Sequence, residues 1–134
     1  MNDYNKTTHS ILSLNYHLVL VTKYRKKVIT DEISARLKKI FIELSEVWNI
    51  ELNEYNKEED HIHILFSSTA DINLQKFVQN YKLVSSRKVK KEYPKIKEKI
   101  YKGGFWKIGY FLASTGGVTM DIINQYVQRQ GIHG

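Results

Sequence analysis

Two histidines one residue apart, in the stretch DHIHILF at residues 60–66, are the first side chains in this sequence whose types and spacing could do chemistry. On an extended strand, side chains two positions apart share a face. His61 and His63 would then point together, while Ile62, Ile64 and Phe66 point to the opposite side. Two imidazoles so placed can bind one divalent metal ion, which needs a further protein ligand or water to complete its shell. The chain has no cysteine, so disulfides and thiolate sites are excluded and any metal must take nitrogen or oxygen donors. A His-x-His on a strand also arises with no ligand role, which makes the other donors in reach the deciding feature. Tyr126 and Gln130 are candidates: four apart on one helical stripe with Ile122, they project a phenol and an amide toward the same neighbour. Singly, such a tyrosine is most often core and such a glutamine solvated.

The elements that must position these groups alternate between strand and helix. Residues 13–22, SLNYHLVLVT, are rich in β-branched and aromatic types and read as a buried strand, followed by the basic connector KYRKK. Ile33, Leu37, Ile40, Phe41, Leu44, Val47 and Trp48 recur at helical spacing after Thr30 and Asp31, either of which could cap the helix. Residues 50–56 form a second strand, KEED a hairpin turn, and HIHILFSS a third strand antiparallel to the second. Leu74, Phe77, Val78, Tyr81 and Val84 mark a second helix that must end before Pro94. FWKIGYFLA reads as a fourth strand and TMDIINQYVQRQ as a last helix. The order is α+β, a ferredoxin-like or RRM-like βαββαβ sandwich with an antiparallel sheet, two helices on one face, and an additional C-terminal helix. The other sheet face is expected to be free and to carry the histidines. One domain is expected over residues 1–134, since a chain of this length with 42% hydrophobic residues can build one core.

Lysine and arginine outnumber aspartate and glutamate by 21 to 14, a net charge of +7, so an acidic polymer is the natural partner. No apolar run is long enough to be a signal peptide or a membrane span, and a cytoplasmic protein with no membrane partner is expected. The basic residues Tyr24-Arg25-Lys26-Lys27 (with their leading tyrosine) and Lys82, Arg87, Lys88, Lys90 and Lys91 could be solvated faces, but they could also contact phosphates. His9, His17 and His133 have no paired partner in the sequence and receive no role.

Five blocks of the chain, TKYRKKV, DHIHILF, KLVSSRKVKKEYP, FWKIGYFLASTGG and INQYVQRQ, together resemble the single-tyrosine HUH transposases of the smallest insertion sequences, the TnpA type. The blocks stand in the family's order and spacing. HUH denotes histidine, bulky hydrophobic, histidine, met here by His61, Ile62 and His63. The resemblance implies that Tyr126, on the last helix, is the nucleophile and Gln130 the third metal ligand, with Mg²⁺ or Mn²⁺ as the cofactor. It implies hairpins in single-stranded DNA as the substrate, with Tyr24, Arg25, Lys26, Lys27, Lys82, Arg87 and Lys88 as DNA contacts. It also implies a homodimer with composite sites, each Tyr126 and Gln130 being delivered in trans to the partner's histidines. STGG at 114–117 could be only a loop, but Gly116 and Gly117, just before the last helix, are placed to act as the hinge for such delivery. The sequence departs from the pattern at Gly109, where relatives often carry serine.

A phenol has a pKa of about 10 and attacks phosphate poorly at neutral pH, so it needs an activated electrophile and a fixed line of approach. A metal on the histidines would polarise the phosphate. Attack by Tyr126 would leave a 5′-phosphotyrosine and a free 3′-OH, conserving the phosphodiester for strand transfer. Two readings compete. An RRM-like module would bind RNA or single-stranded DNA without catalysis, but nothing here matches its aromatic signature. A histidine-triad phosphohydrolase would need its next alternate histidine at Leu65.

Overall fold

Along residues 61–66 burial alternates with the two-residue period of the strand. Ile62, Ile64 and Phe66 are completely buried, while His61 and His63 between them are only partly so. The computed structural model describes residues 13–100, 104–116 and 120–131. The strands are β1 (Ser13–Val21), β2 (Glu51–Lys57), β3 (His61–Thr69) and β4 (Phe111–Ser114), and the helices α1 (Asp31–Trp48), α2 (Leu74–Glu92) and α3 (Met120–Gln130). One antiparallel sheet has the order β2-β3-β1-β4. This is the expected βαββαβ plan followed by a helix.

Local chemistry sets the helix ends. Thr30, not Asp31, caps α1 by accepting a hydrogen bond from the Ile33 amide at 3.2 Å. That helix stops where Asn49 turns left-handed, with φ of 58°, a conformation asparagine adopts more readily than most residues. Asn73 caps α2 through the Lys76 amide, and the helix ends two residues before Pro94, where Tyr93 is already non-helical. Both helices pack on the face bearing Leu18, Leu20, Ile62, Ile64 and Phe66. There Phe41 meets Phe77 and Tyr81 edge-on, with centroids 5.4 and 5.3 Å away. Truncating a buried ring of this kind to alanine typically costs about 3–5 kcal/mol, so this aromatic cluster carries much of the sheet's rigidity.

Two features differ from the sequence expectation. The fourth strand is short: β4 pairs with β1 only from Phe111 to Ser114, and upstream the chain leaves the ladder. Trp106 makes an isolated bridge with Thr22, Gly109 bends the chain at φ of 90°, and the Lys82 ammonium holds the carbonyls of Lys107 and Gly109 at 2.9 and 2.8 Å. The second sheet face, expected free, is partly covered, because Ile123 and Val127 of α3 pack on Val19 and Val21 of β1. Amphipathicity is the cause: α3 has a narrow apolar strip that must be buried somewhere, and β1 presents two valines on its histidine-bearing side.

A register shift between Leu52 and Glu54 completes the scaffold. The bulge inverts which side chains of β2 face which way. Tyr55 turns to the helix side, where its hydroxyl reaches Ser34, and Glu54 and Asn56 come opposite Leu65 and His63.

Candidate active site on the open face of the sheet

His61 and His63 share one face, as the strand period requires, and both line a cleft of about 410 Å³ closed on one side by Met120 and Asn124 of α3. Three of its other walls were not legible in the sequence. Glu54 and Asn56 enter it from β2 because of the bulge. His17, given no role above, enters from β1: its Nδ1 lies 2.8 Å from His63 Nε2, one nitrogen donating to the other, and the rings are stacked with centroids 5.1 Å apart. Only the strand register, which sets Val19 opposite His63, reveals that His17 is a diagonal neighbour.

The surroundings favour the neutral forms of His17 and His63. Burial pushes the His63 pKa down, and the neighbouring His17 and His61 push it further, against the opposing pull of Glu54. Burial likewise lowers His17, again against Glu54. A neutral ring retains the lone pair that a metal needs. His61 is held differently. Its Nδ1 lies 2.8 Å from Asp60 Oδ1, and Asp60 Oδ2 accepts from Arg25 Nε at 3.0 Å. Burial alone would raise the Asp60 carboxyl, but the hydrogen bonds and charges of His61 and Arg25 outweigh it and hold it below its ordinary value.

Tyr126 and Gln130 are close to each other but are not walls of this cleft. The Tyr126 ring packs on Phe111 of β4, centroids 5.3 Å apart, and Gln130 Nε2 donates back to the Tyr126 carbonyl at 2.8 Å. Burial raises the phenol's pKa, so the hydroxyl stays protonated where it sits. With about 100° per residue around a helix, Asn124 and Tyr126 lie on nearly opposite flanks of the strip that docks on β1. The docked helix therefore turns Asn124 to the histidines and Tyr126 to β4. Among the described residues, no three histidine, aspartate or glutamate side chains converge on a common metal position.

The family model described as IS200-like transposase matches residues 10–130. The chain belongs to the IS200-like transposase family. It is 30% identical to the ISDra2 transposase TnpA of Deinococcus radiodurans over 120 residues, 90% of this chain and 86% of that protein. It is 27% identical to the transposase for insertion sequence element IS200 of Salmonella typhimurium over 130 residues, 97% and 85% of the two chains. Among solved structures, a crystal structure assigned as a transposase of D. radiodurans R1 superposes with a TM-score of 0.84 at 27% identity, covering 98% of each chain. The REP-associated tyrosine transposase bound to a REP hairpin shares the fold, with a TM-score of 0.60 at 12% identity over 95% of this chain and 68% of that one. This IS200-like protein is thus a transposase, an enzyme class that cleaves DNA and transfers strands.

The basic residues of the transposase divide into three groups. Lys26 and Lys27 are exposed in the turn after β1, beside Tyr24 and Arg25, whose backbones are both left-handed. Arg87 lines an open groove of about 630 Å³ with Lys90, Lys91 and Lys97; Lys88 is half-buried one residue further along α2. Lys82 stands apart, its ammonium engaged by two carbonyls and lying 5.9 Å from the Tyr110 ring centroid. Gly116 is exposed at the end of the β4 loop, and Gly117 lies outside the described residues. Among the described residues, no helix is long and apolar enough to cross a membrane.

Proposed function

We propose that this transposase cleaves and rejoins single-stranded DNA at hairpin-marked ends through Tyr126, with a divalent metal, Mg²⁺ or Mn²⁺, held by His61, His63 and Gln130. One observation supports it above the others: the imidazoles of His61 and His63 share one cleft wall, while the tyrosine rides on an adjacent small helix attached through a cluster of four buried apolar residues.

The residues present fit such a metal. His61 has one nitrogen tied to Asp60, which leaves the other for coordination. His63 can turn its Nε2 from His17 to the ion, and Gln130 uses only an amide hydrogen in its bond to Tyr126. When bound, the ion would polarise the scissile phosphate and stabilise the charge that develops on it. The protein's own groups do the rest. Tyr126 Oη gives up its proton to solvent as it attacks phosphorus, the bond from phosphorus to the 3′ oxygen breaks, and the 3′ oxygen takes a proton from solvent and leaves as a hydroxyl. The 5′-phosphotyrosine keeps the energy of the original diester, so the reverse attack by another 3′-OH joins a new strand. The +7 net charge, with Lys26, Lys27, Arg87 and Lys88 on the surface, would gather the DNA backbone.

Because α3 cannot present Tyr126 to the cleft while Ile123 and Val127 remain on β1, the helix must detach or turn before cleavage. The exposed Gly116, at the end of β4, is placed to supply the pivot. A homodimer in which each chain's tyrosine meets its partner's histidines satisfies this requirement and gives two nucleophiles for two element ends. Incubating the protein with hairpin-containing oligonucleotides labelled at their 3′ ends, on the fragment that stays joined to tyrosine, with Mg²⁺ or with chelator, tests the reading. A covalent, metal-dependent protein–DNA adduct that survives denaturation is expected. Cleavage that leaves no adduct would overturn the tyrosine assignment.

A further inference from the structure

We propose that Arg25 and Asp60 form a positioning relay that fixes the ring of His61, so that the turn after β1 sets the readiness of the histidine pair. The inference rests on the reading of His61 as a metal donor, and its test separates the two.

The geometry is a chain of three side chains. Asp60, only 7% exposed, divides its two oxygens between two donors: Oδ1 lies 2.8 Å from His61 Nδ1 and Oδ2 lies 3.0 Å from Arg25 Nε. An ionised carboxylate only accepts, so the hydrogen between Asp60 and His61 belongs to His61 Nδ1. That choice leaves the Nε2 lone pair as the one available for coordination, and it fixes the plane of the ring. The backbone holds both ends of the chain. The Asp60 carbonyl accepts from the Thr22 amide at 2.9 Å and from the Thr22 hydroxyl at 3.1 Å. The Arg25 amide in turn donates to the Thr22 carbonyl at 2.9 Å. Thr22 therefore ties the turn to the residue that precedes His61.

Backbone strain points the same way. Tyr24 and Arg25 are consecutive non-glycine residues with φ of 59° and 53°, a strained conformation that persists where the surroundings impose it. In this turn, what it accomplishes is to bring the guanidinium back over Asp60 from the segment that also carries the exposed Lys26 and Lys27. A surface arginine that only met DNA would require neither the left-handed pair nor a buried carboxylate.

The test uses the full chain without DNA. Nitrogen-15 NMR of the histidine rings at mildly alkaline pH reports which nitrogen of His61 carries the hydrogen, and calorimetric titration with Mn²⁺ reports affinity. In the wild type His61 should carry it on Nδ1. In Asp60→Asn the single amide oxygen can satisfy only one of the two donors, so the tautomers should mix and Mn²⁺ affinity should fall about 10–100-fold, the usual loss for such supporting partners. Arg25→Gln, at a half-exposed position, should shift the tautomer in the same direction with a smaller loss, and Arg25→Lys should recover part of it. Unchanged His61 tautomer in folded Asp60→Asn and Arg25→Gln proteins overturns the relay. A shift in Asp60→Asn alone overturns the part assigned to Arg25. Should the wild type bind no Mn²⁺, the metal reading fails, and the tautomer spectra still decide the relay.

Discussion

Asn124 and Tyr126 lie two residues apart on α3 and face opposite ways: Asn124 lines the histidine cleft, whereas the Tyr126 ring rests on Phe111 of β4. The docking strip of Ile123 and Val127 runs between them. The arrangement separates the proposed nucleophile from the proposed metal donors by orientation.

Replacing Tyr126 with phenylalanine should abolish the covalent adduct, lowering cleavage by at least about a thousandfold as loss of a nucleophile does elsewhere. The ring stays and its packing on Phe111 is retained, so melting temperature and hairpin affinity should stay close to wild type. A gel of denatured protein–DNA products measures the first, and an adduct formed at wild-type yield would disprove the assignment.

Mixing His63→Ala subunits with Tyr126→Phe subunits distinguishes delivery in trans from delivery within one chain. In trans, the heterodimer has one site with both histidines and the tyrosine intact, and about half of the wild-type cleavage per dimer should return. Within one chain both sites stay broken. Purified, doubly tagged heterodimers that cleave no better than either parent would exclude exchange between subunits.

Val127→Ala should loosen α3 without unfolding the sheet. Removing two buried methyl groups from so small a contact costs on the order of 1–2 kcal/mol. Amide exchange should therefore accelerate about tenfold or more across residues 120–130 while β1 and β3 stay protected. Equal acceleration in the strands would mean that the helix is an integral part of the core.

Tyr55 gives the protein an alkaline limit. Burial, opposed by its hydrogen bond with Ser34, pushes the hydroxyl up to about 12, from about 10 in an unfolded chain. A raised folded-state pKa means that the folded protein keeps the proton longer. The contribution is complete below about pH 10 and is lost as pH rises toward 12, by up to about 2–3 kcal/mol. Denaturant melts of wild type should thus lose stability more steeply over this window than those of Tyr55→Phe, and parallel curves would count against it.

Lys82 and Arg87 should behave differently despite their common charge. Lys82→Met deprives the Lys107 and Gly109 carbonyls of their donor and should destabilise the fold by about 1–3 kcal/mol. Its effect on the salt dependence of DNA binding should be small. Arg87→Gln should leave the melt unchanged and reduce the slope of log affinity against log salt by about one. The opposite pairing of outcomes would reassign both residues.

The contrast between Lys82 and Arg87 shows what a sequence carries and what it does not. Strand and helix order, the shared face of His61 and His63, and the end of α2 before Pro94 all follow from local periods and backbone restrictions, and they stand in the structure. The charge of Lys82 was equally visible, but its partners are carbonyls 25 and 27 residues away, and no local rule brings them together. His17 escaped for the same reason, since its meeting with His63 depends on the register of β1 against β3. Glu54 and Asn56 reached the cleft through a bulge that inverts half a strand, and the KEED segment that suggested only a turn ends in the carboxylate supporting His61. The expected length of the fourth strand was wrong because Gly109 and Lys82 divert a segment whose composition is that of a strand.

On the proposed chemistry of Tyr126, the apolar strip that seats α3 would also set how often the enzyme is armed by chance. Ile123 and Val127 would be bared on detachment, together with Val19 and Val21. If that exposure costs even about 3 kcal/mol, only about one chain in a hundred holds its tyrosine loose at any instant. Single-stranded DNA is common wherever chromosomes replicate, and a permanently assembled site would nick it indiscriminately. If Tyr126 is the nucleophile, as proposed, a helix parked on its own sheet would act as a safety catch. It would confine breakage to occasions when bound DNA supplies the energy to lift it.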